Sequence, residues 1–396
     1  MSGGLAAAFT TQRIIGLVVA WVTLIAVAVY AFVNIRKAKP EVGNEVDLAP
    51  NRKPYYSDEE LEGPRLDRYL TMALVLLGIV ALGLPLYWLA EPGRQSGQID
   101  RFEAVFASRG ENLYNANCSS CHGQGGGGGV ASYVLQDREG DFIANVSWKA
   151  PQLSTALLRF ERDEIQYVLD HGRAFSPMQP WSTVGGGAMN TQQIKNLIDY
   201  LSSVKLSTEE AQDEVRAGLV ARLTKERELL VDESKKASVA AEVKKAFDDN
   251  DSDLKALIAL GEAKSEREAS LRLGELLFSL DTGSGGYSCA RCHTAGWSYD
   301  RPSETGAGAF GPKLWNVDDK FTSVDQLSQF LGEGCEMGKL YGRQSQCKSG
   351  QMPGFGEFFT AEQLDAVAAY VATLDGSQQY YPSGQRPVST TGGSTK

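Results

Sequence analysis

The sequence predicts an all-α protein: two N-terminal transmembrane helices, then two copies of one helical domain joined by a helical spacer. Three observations carry this. Two uncharged apolar stretches lie near the N-terminus, the remainder runs through one order of motifs twice, and the segment between the copies is proline-free and highly charged. With 396 residues, 42% hydrophobic and 22% charged, the chain exceeds one ordinary domain and has the composition for packed cores. A net charge of −10 argues against a nucleic-acid binder and against adhesion to anionic lipid. It suits steering toward a basic partner, or solubility alone.

The stretch 14–33 reads IIGLVVAWVTLIAVAVYAFV and 69–90 reads YLTMALVLLGIVALGLPLYWLA, neither with a charge. At about 1.5 Å per residue, a helix of either length spans a hydrocarbon core about 30 Å thick. Tyr87 and Trp88 suit an interface, and Pro85 is expected to kink the second helix near its end. The loop between them, 34–68, carries seven Lys/Arg (Arg36, Lys37, Lys39, Arg52, Lys53, Arg65, Arg68), against Arg13 alone before the first span. The positive-inside rule puts this loop in the cytoplasm, with the N-terminus and everything after Ala90 outside. The competing reading of 14–33 is a cleaved signal peptide, with AVA at 26–28 as the cleavage site. The apolar run is long for that, and cleavage would leave the C-terminal bulk in the cytoplasm.

A membrane anchor, 1–100, is thus expected to precede a first domain, 101–206, a charged helical spacer, 207–270, a second domain, 271–376, and a disordered tail, 377–396. The spacer holds 11 Lys/Arg and 16 Asp/Glu in 64 residues and no Pro. Its apolar residues fall at helical spacing, so two or three mostly exposed helices are expected. DDNDSD at 248–253 resembles the start of a calcium loop but lacks the placed Gly and closing Glu; a helix-cap cluster explains it better.

The two domains match in order and spacing. GENLYNANCSSCHG in the first corresponds to GELLFSLDTGSGGYSCARCHT in the second, APQL at 150–153 to GPKL at 311–314, and DEIQYVL at 163–169 to VDQLSQFL at 324–331. SPMQPW at 176–181 corresponds to GQMPGF at 350–355. Each copy closes on a helical pattern in which Ile194 precedes Tyr200 and Leu364 precedes Tyr370 by the same interval.

Each copy carries CxxCH: Cys118, Cys121 and His122, then Cys289, Cys292 and His293. This is the attachment signature of c-type haem. Two thiols at that spacing each bond a vinyl group of the porphyrin, and the adjoining His lies beneath the iron. The same cysteines could instead form one four-thiolate zinc site or redox CxxC pairs. The chain has three His, two of them in these motifs, so at most one iron has a second His. A Met thioether is the natural sixth ligand and raises the reduction potential. Met178 and Met352, each beside a Pro, are the matched candidates; Met189 and His171 are rivals for the first site and Met337 for the second. The last His, His171, has the ordinary alternative of a cation at a helix end. Pro151 and Pro312 recur at equivalent points, where a carbonyl could accept from the proximal imidazole and tune the iron.

From Ile165 to Met178 is 13 residues, and from the corresponding Leu327 to Met352 is 25. The second copy therefore has 12 extra residues before its Met, bracketed by Cys335 and Cys347. A disulfide between them would close this loop, worth about 3 kcal/mol on a loop-entropy model. It would persist in the oxidising space outside the membrane.

These residues resemble two class I cytochrome c domains over about 101–205 and 271–376. The resemblance rests on a Gly- and aromatic-bearing helix, CxxCH, a Pro-Leu turn, an axial Met and a closing helix with Tyr, in that order. It implies small all-helical folds around two covalently attached haem c groups that carry single electrons. Tandem domains of this kind on an anchor resemble the dihaem subunit of C-family haem–copper oxidases, whose anchor is also N-terminal. They also resemble the dihaem cytochrome subunit of actinobacterial bcc complexes, whose anchor follows the haems. The expected function is electron transfer in a bacterial respiratory chain, between a quinol-oxidising cytochrome bc-type complex and a terminal haem–copper oxidase. The expected location is the cytoplasmic membrane, with the haem domains on the outer face. With both irons six-coordinate the chain is a carrier and not itself an enzyme; the alternatives are a dihaem peroxidase or the cytochrome subunit of a membrane dehydrogenase.

Overall fold

The structure is a computed structural model and describes residues 11–38, 61–136, 139–173, 176–301, 311–314, 317–335, 340–341, 345–346 and 352–375. It divides into two compact units, Met1–Gln95 and Ser96–Lys396. The expected tail, 377–396, and most of the loop 34–68 lie outside the described residues.

Helix α1 (Thr11–Ala38) contains the first apolar stretch. Its described apolar side chains include the run Trp21–Val33. A turn at Leu61–Arg65 is broken at Gly63 and carries Pro64, which has no N–H for a preceding turn. Helix α2 (Leu66–Asn117) follows, with Asp67 against its N-terminal dipole. The stretch Glu62–Asn117 is the one helical segment, among the described residues, long and apolar enough to cross a membrane. Two such helices were expected. The helix also does not end near Ala90: it continues through Pro85 and Pro92. A proline removes one ladder bond and bends a helix without stopping it when both flanks favour helix.

The second unit is mostly helical, consistent with all-α domains, and adds two hairpins. After CxxCH the chain forms an antiparallel hairpin of β1 (Gly129–Gln136) and β2 (Phe142–Ala150), with a register shift between Leu135 and Gln136. Its alternating inward residues Ala131, Leu135, Ala144, Val146 and Trp148 form a small core with Tyr299 of the second copy. The sequence signal was present as period-two alternation around a Glu-Gly turn. The first copy continues with α3 (Arg162–His171) and α4 (Thr191–Ser203).

The charged segment forms α5 (Thr208–Glu228), α6 (Glu233–Asp248) and α7 (Asp253–Ala259). These helices are not a mostly exposed connector. Ala211, Val215, Leu219 and Leu223 recur every four residues on one face of α5, and all four are fully buried. With Val243, Phe247 and Leu257 they join the same core as Leu273, Leu276 and Leu277 of α8 (Glu266–Phe278). Charge on the remaining faces conceals this stripe in any average over composition.

Charges also lock α5 to α8. Arg272, 7% exposed, pairs with Glu226 and with Glu275 at 2.8 Å, while Arg222 donates to Leu276 O at 2.9 Å and Ser279 Oγ at 2.7 Å. Burial alone would raise the Glu226 carboxyl, but Arg272 and Arg222 outweigh it and hold it below the usual range. The stability this gives is therefore present above the ordinary carboxylate value and lost as pH falls from there through the lowered value of Glu226. Replacing Arg272 with Met leaves a buried carboxylate without its main partner. We expect a loss of about 3–5 kcal/mol, read from denaturant unfolding.

The second copy adds α9 (Val324–Glu333), a short hairpin of β3 (Leu340–Tyr341) and β4 (Ser345–Gln346), and α10 (Ala361–Val371). The hairpin falls in the 12-residue insertion. The first and last helices of each copy cross at a glycine. A Cβ on Gly110 would lie 1.9 Å from Asn196 O, and one on Gly274 would lie 2.1 Å from Ala366 O. Tyr200 and Tyr370 pack at the two crossings. Both closing helices start with reciprocal capping boxes, Asn190 with Gln193 and Thr360 with Gln363.

Candidate haem-binding sites

One helical turn builds each attachment motif. Cys121 N and His122 N both donate to Cys118 O, at 3.1 and 2.9 Å; Cys292 N and His293 N donate to Cys289 O at 3.1 and 3.0 Å. Residues three and four apart share a helix face, so both thiols and the imidazole of a motif address one side. All four thiols are free. Burial pushes Cys118 up to about 11 and Cys289 up to about 12, opposite to the lowered thiol of a redox CxxC. Nor do the cysteines form a zinc centre: among the described residues no three His, Cys, Asp or Glu side chains are grouped to hold a metal ion.

The imidazoles are oriented identically. His122 Nδ1 lies 2.9 Å from Pro151 O, and His293 Nδ1 lies 2.8 Å from Pro312 O. A carbonyl only accepts, so Nδ1 carries the proton and the Nε2 lone pair is left for a metal. Burial pulls both imidazoles below their ordinary value despite these hydrogen bonds, which keeps them neutral and able to ligate at neutral pH.

Met178 and Met352 occupy equivalent frames. Helix α3 ends at Gly172 (φ 69°) and α9 at Gly334 (φ 76°), a left-handed conformation that frees the chain to turn back. The next residue in each case, Arg173 or Cys335, donates its N–H to the Met carbonyl at 2.8 Å. Both Met side chains are half-buried against the core of their own copy. The two rivals for the first site lie elsewhere. Met189 is 5% exposed and part of the first core, and His171 is exposed with its ring tilted against Tyr167, 4.6 Å between centres. Met337 and Cys347 lie outside the described residues.

The sequence reading passed over a set of cations between the motifs. Arg291 is one of the two residues inside the second CxxCH. It donates to Ser284 O at 3.0 Å and, across to the first copy, to Lys149 O at 2.5 Å. Arg159 donates to Gln152 O at 3.4 Å, and Arg159 and Arg173 flank the Phe160 ring at 5.5 and 5.8 Å. Burial lowers Arg159 to about 10 and lowers Arg291 too, helped by the charges of Arg159 and Arg173 and opposed by Cys292. Arg159 stays charged at neutral pH, and Arg291 in turn depresses His122. The readable signal was an arginine inside CARCH.

The donor sets fit haem c: paired free thiols, a neutral imidazole with an open Nε2, and a thioether on a matched turn. Cys118, Cys121, His122 and Met178 would hold one group, and Cys289, Cys292, His293 and Met352 the other. When bound, the group supplies an iron that cycles between ferrous and ferric states.

Comparison with known proteins agrees. The family model described as Cytochrome c matches residues 107–205 and 274–375, together just over half the chain. No curated protein and no solved structure matches. Cytochrome c domains carry covalently attached haem c and transfer electrons through it, two matched regions are consistent with two haems, and this chain belongs to the cytochrome c family.

Proposed function

We propose that the chain is a membrane-anchored dihaem c-type cytochrome. It passes single electrons between a quinol-oxidising cytochrome bc-type complex and a terminal haem–copper oxidase, as a subunit of one of them. The supporting observation is that both copies set a neutral, carbonyl-held His and a half-buried Met on one pattern. With Met178 and Met352 as axial ligands neither iron has an open position, which suits a carrier.

The anchor reading is supported by α2, whose apolar side chains are exposed all round, among them Leu74, Leu77, Leu82 and Trp88. The basic loop 34–68 favours the haem domains on the outer face of a bacterial cytoplasmic membrane. Cys335 is proposed to pair with Cys347. The four motif thiols are free, so none of them is its partner. Because its N–H holds Met352 O, the disulfide would stiffen the turn that presents Met352.

The test is purification in mild detergent, then carbon monoxide added to the ferrous protein at neutral pH. No rapid binding at either haem, with a bc-type complex or haem–copper oxidase co-purifying, is the expected result. Rapid binding at one haem would replace this reading with a dihaem peroxidase, and a flavin-bearing companion with a dehydrogenase subunit.

A further inference from the structure

The peptide that orients His122 is gripped on both sides by the second copy. Pro151 supplies the carbonyl for His122 Nδ1. Two residues earlier, Lys149 O accepts from Arg291, which lies between Cys289 and Cys292. One residue later, Gln152 N donates to Gly283 O at 3.0 Å. The Lys149 ammonium pairs with Asp281 at 3.1 Å and Asp300 at 2.8 Å and lies 4.5 Å from the Trp297 ring centre. Gln152 Nε2 meets Glu214, which also accepts from Tyr287 Oη at 2.7 Å. Segment 149–152 is therefore built jointly by both haem sites.

Arg291 is the shared element. Its guanidinium stands within its own attachment motif and is hydrogen-bonded to the segment that fixes the other proximal His. Its described hydrogen bonds go to backbone carbonyls; Asp281 acts on it through space, and Arg159 and Arg173 add charge of the same sign. A fixed cation near a haem favours the ferrous over the ferric state, which carries one more positive charge, and does so most strongly where water is excluded.

We propose that Arg291 is a positioning residue common to both haems, setting their two reduction potentials together by its charge at the seam. The two sites then respond as a pair, and a change at this one residue is felt at the haem of the other copy. The proposal rests on the two haem sites alone, not on the anchor or on any respiratory partner, so the absence of a co-purifying complex leaves it standing.

The experiment is a potentiometric titration of the full-length holoprotein, with each haem followed by the hyperfine-shifted methyl resonance of its axial Met. In Arg291→Gln both reduction equilibria are expected to fall by about tenfold, or about 59 mV for a one-electron couple. In Arg291→Lys, which keeps the charge and loses the fork, both are expected to return to within about twofold of the native values. Movement of the second haem alone, or of neither, overturns the proposal. So does an equal loss in the Lys and Gln variants, which would mark a purely structural contact. If Arg291→Gln fails to incorporate haem, Lys149→Met provides the second reading. It removes the cation paired with Asp281 and Asp300 and leaves the Lys149 carbonyl and Arg291 in place. Asp281, whose charge also acts on Arg291, then loses its ammonium partner and offsets more of the guanidinium's charge, so both potentials should fall together; movement at a single haem overturns the proposal.

Discussion

Met352→Ala is expected to leave the second haem attached but five-coordinate, open to carbon monoxide in its ferrous form. Its reduction potential should fall by on the order of 0.1–0.2 V, within the range of about 0.8 V over which axial ligands set haem potentials. The direction follows from chemistry: a thioether is a soft, neutral ligand that favours ferrous iron, and losing it removes that preference. The structure makes the expectation specific to one residue. Met352 is held by a hydrogen bond from Cys335 N to its own carbonyl, the same frame in which Arg173 N holds Met178. Met178→Ala should do the same at the first haem and leave the second spectrum unchanged. The control is Met189→Leu. Met189 packs among Ile194, Leu197 and Ile198, so a volume-conserving exchange should lose less than about 1.5 kcal/mol and alter neither haem spectrum. A carbon monoxide difference spectrum with a redox titration reads all three variants. An unaltered second haem in Met352→Ala would remove the assignment.

Gly274→Val is expected to unfold the second domain. Even the first atom of a side chain at 274 would lie 2.1 Å from Ala366 O and 2.6 Å from Tyr370 Cβ, so α8 and α10 would have to separate. A backbone carbonyl between two packed helices has nowhere to go. The loss should exceed about 3 kcal/mol, at the severe end for a single substitution. Because α8 shares its core with α5, α6 and α7, the charged segment should lose helicity in the same transition. Gly110→Val should damage the first domain in the same way, through Asn196 O. Far-ultraviolet circular dichroism on heating, with covalent haem content measured per variant, checks both. A Gly274→Val protein that melts like the native one would mean that the helices do not cross this closely.

Much of the haem chemistry was readable from residue order. CxxCH is a local instruction: once a helical turn forms, covalent geometry alone sets Cys118, Cys121 and His122 on one face, and so too for Cys289, Cys292 and His293. The duplication made the rest comparative. A Pro and a Met recurring at matched places in two copies carry more weight than either would alone, and the structure brings Pro151 and Pro312 within hydrogen-bond distance of the two imidazoles.

What depended on contacts between distant parts of the chain was harder to read. The alternation in 129–150 was visible, yet the β1–β2 hairpin gains its partner only when Trp148 reaches Tyr299, at 5.1 Å between ring centres. The segment 207–270 looked like a solvated spacer because charges dominate its composition. Four residues at helical spacing, Ala211, Val215, Leu219 and Leu223, are enough to make α5 part of a core, and only a facing helix settles whether such a stripe is buried. Arg291 is the sharpest instance. In sequence it is an unremarked position inside a motif defined by its neighbours; in space it bonds to the segment that orients the other motif's His, because hydrogen bonding depends on distance and not on separation along the chain. The sequence by itself determined the attachment chemistry, the number of sites and the order of parts, all of which are local or repeated. Tertiary structure decided how each matched methionine's turn is held, what the charged helices bury, and that Arg291 bonds to a carbonyl of the other copy. Each of those depends on surfaces that meet only after the chain has folded.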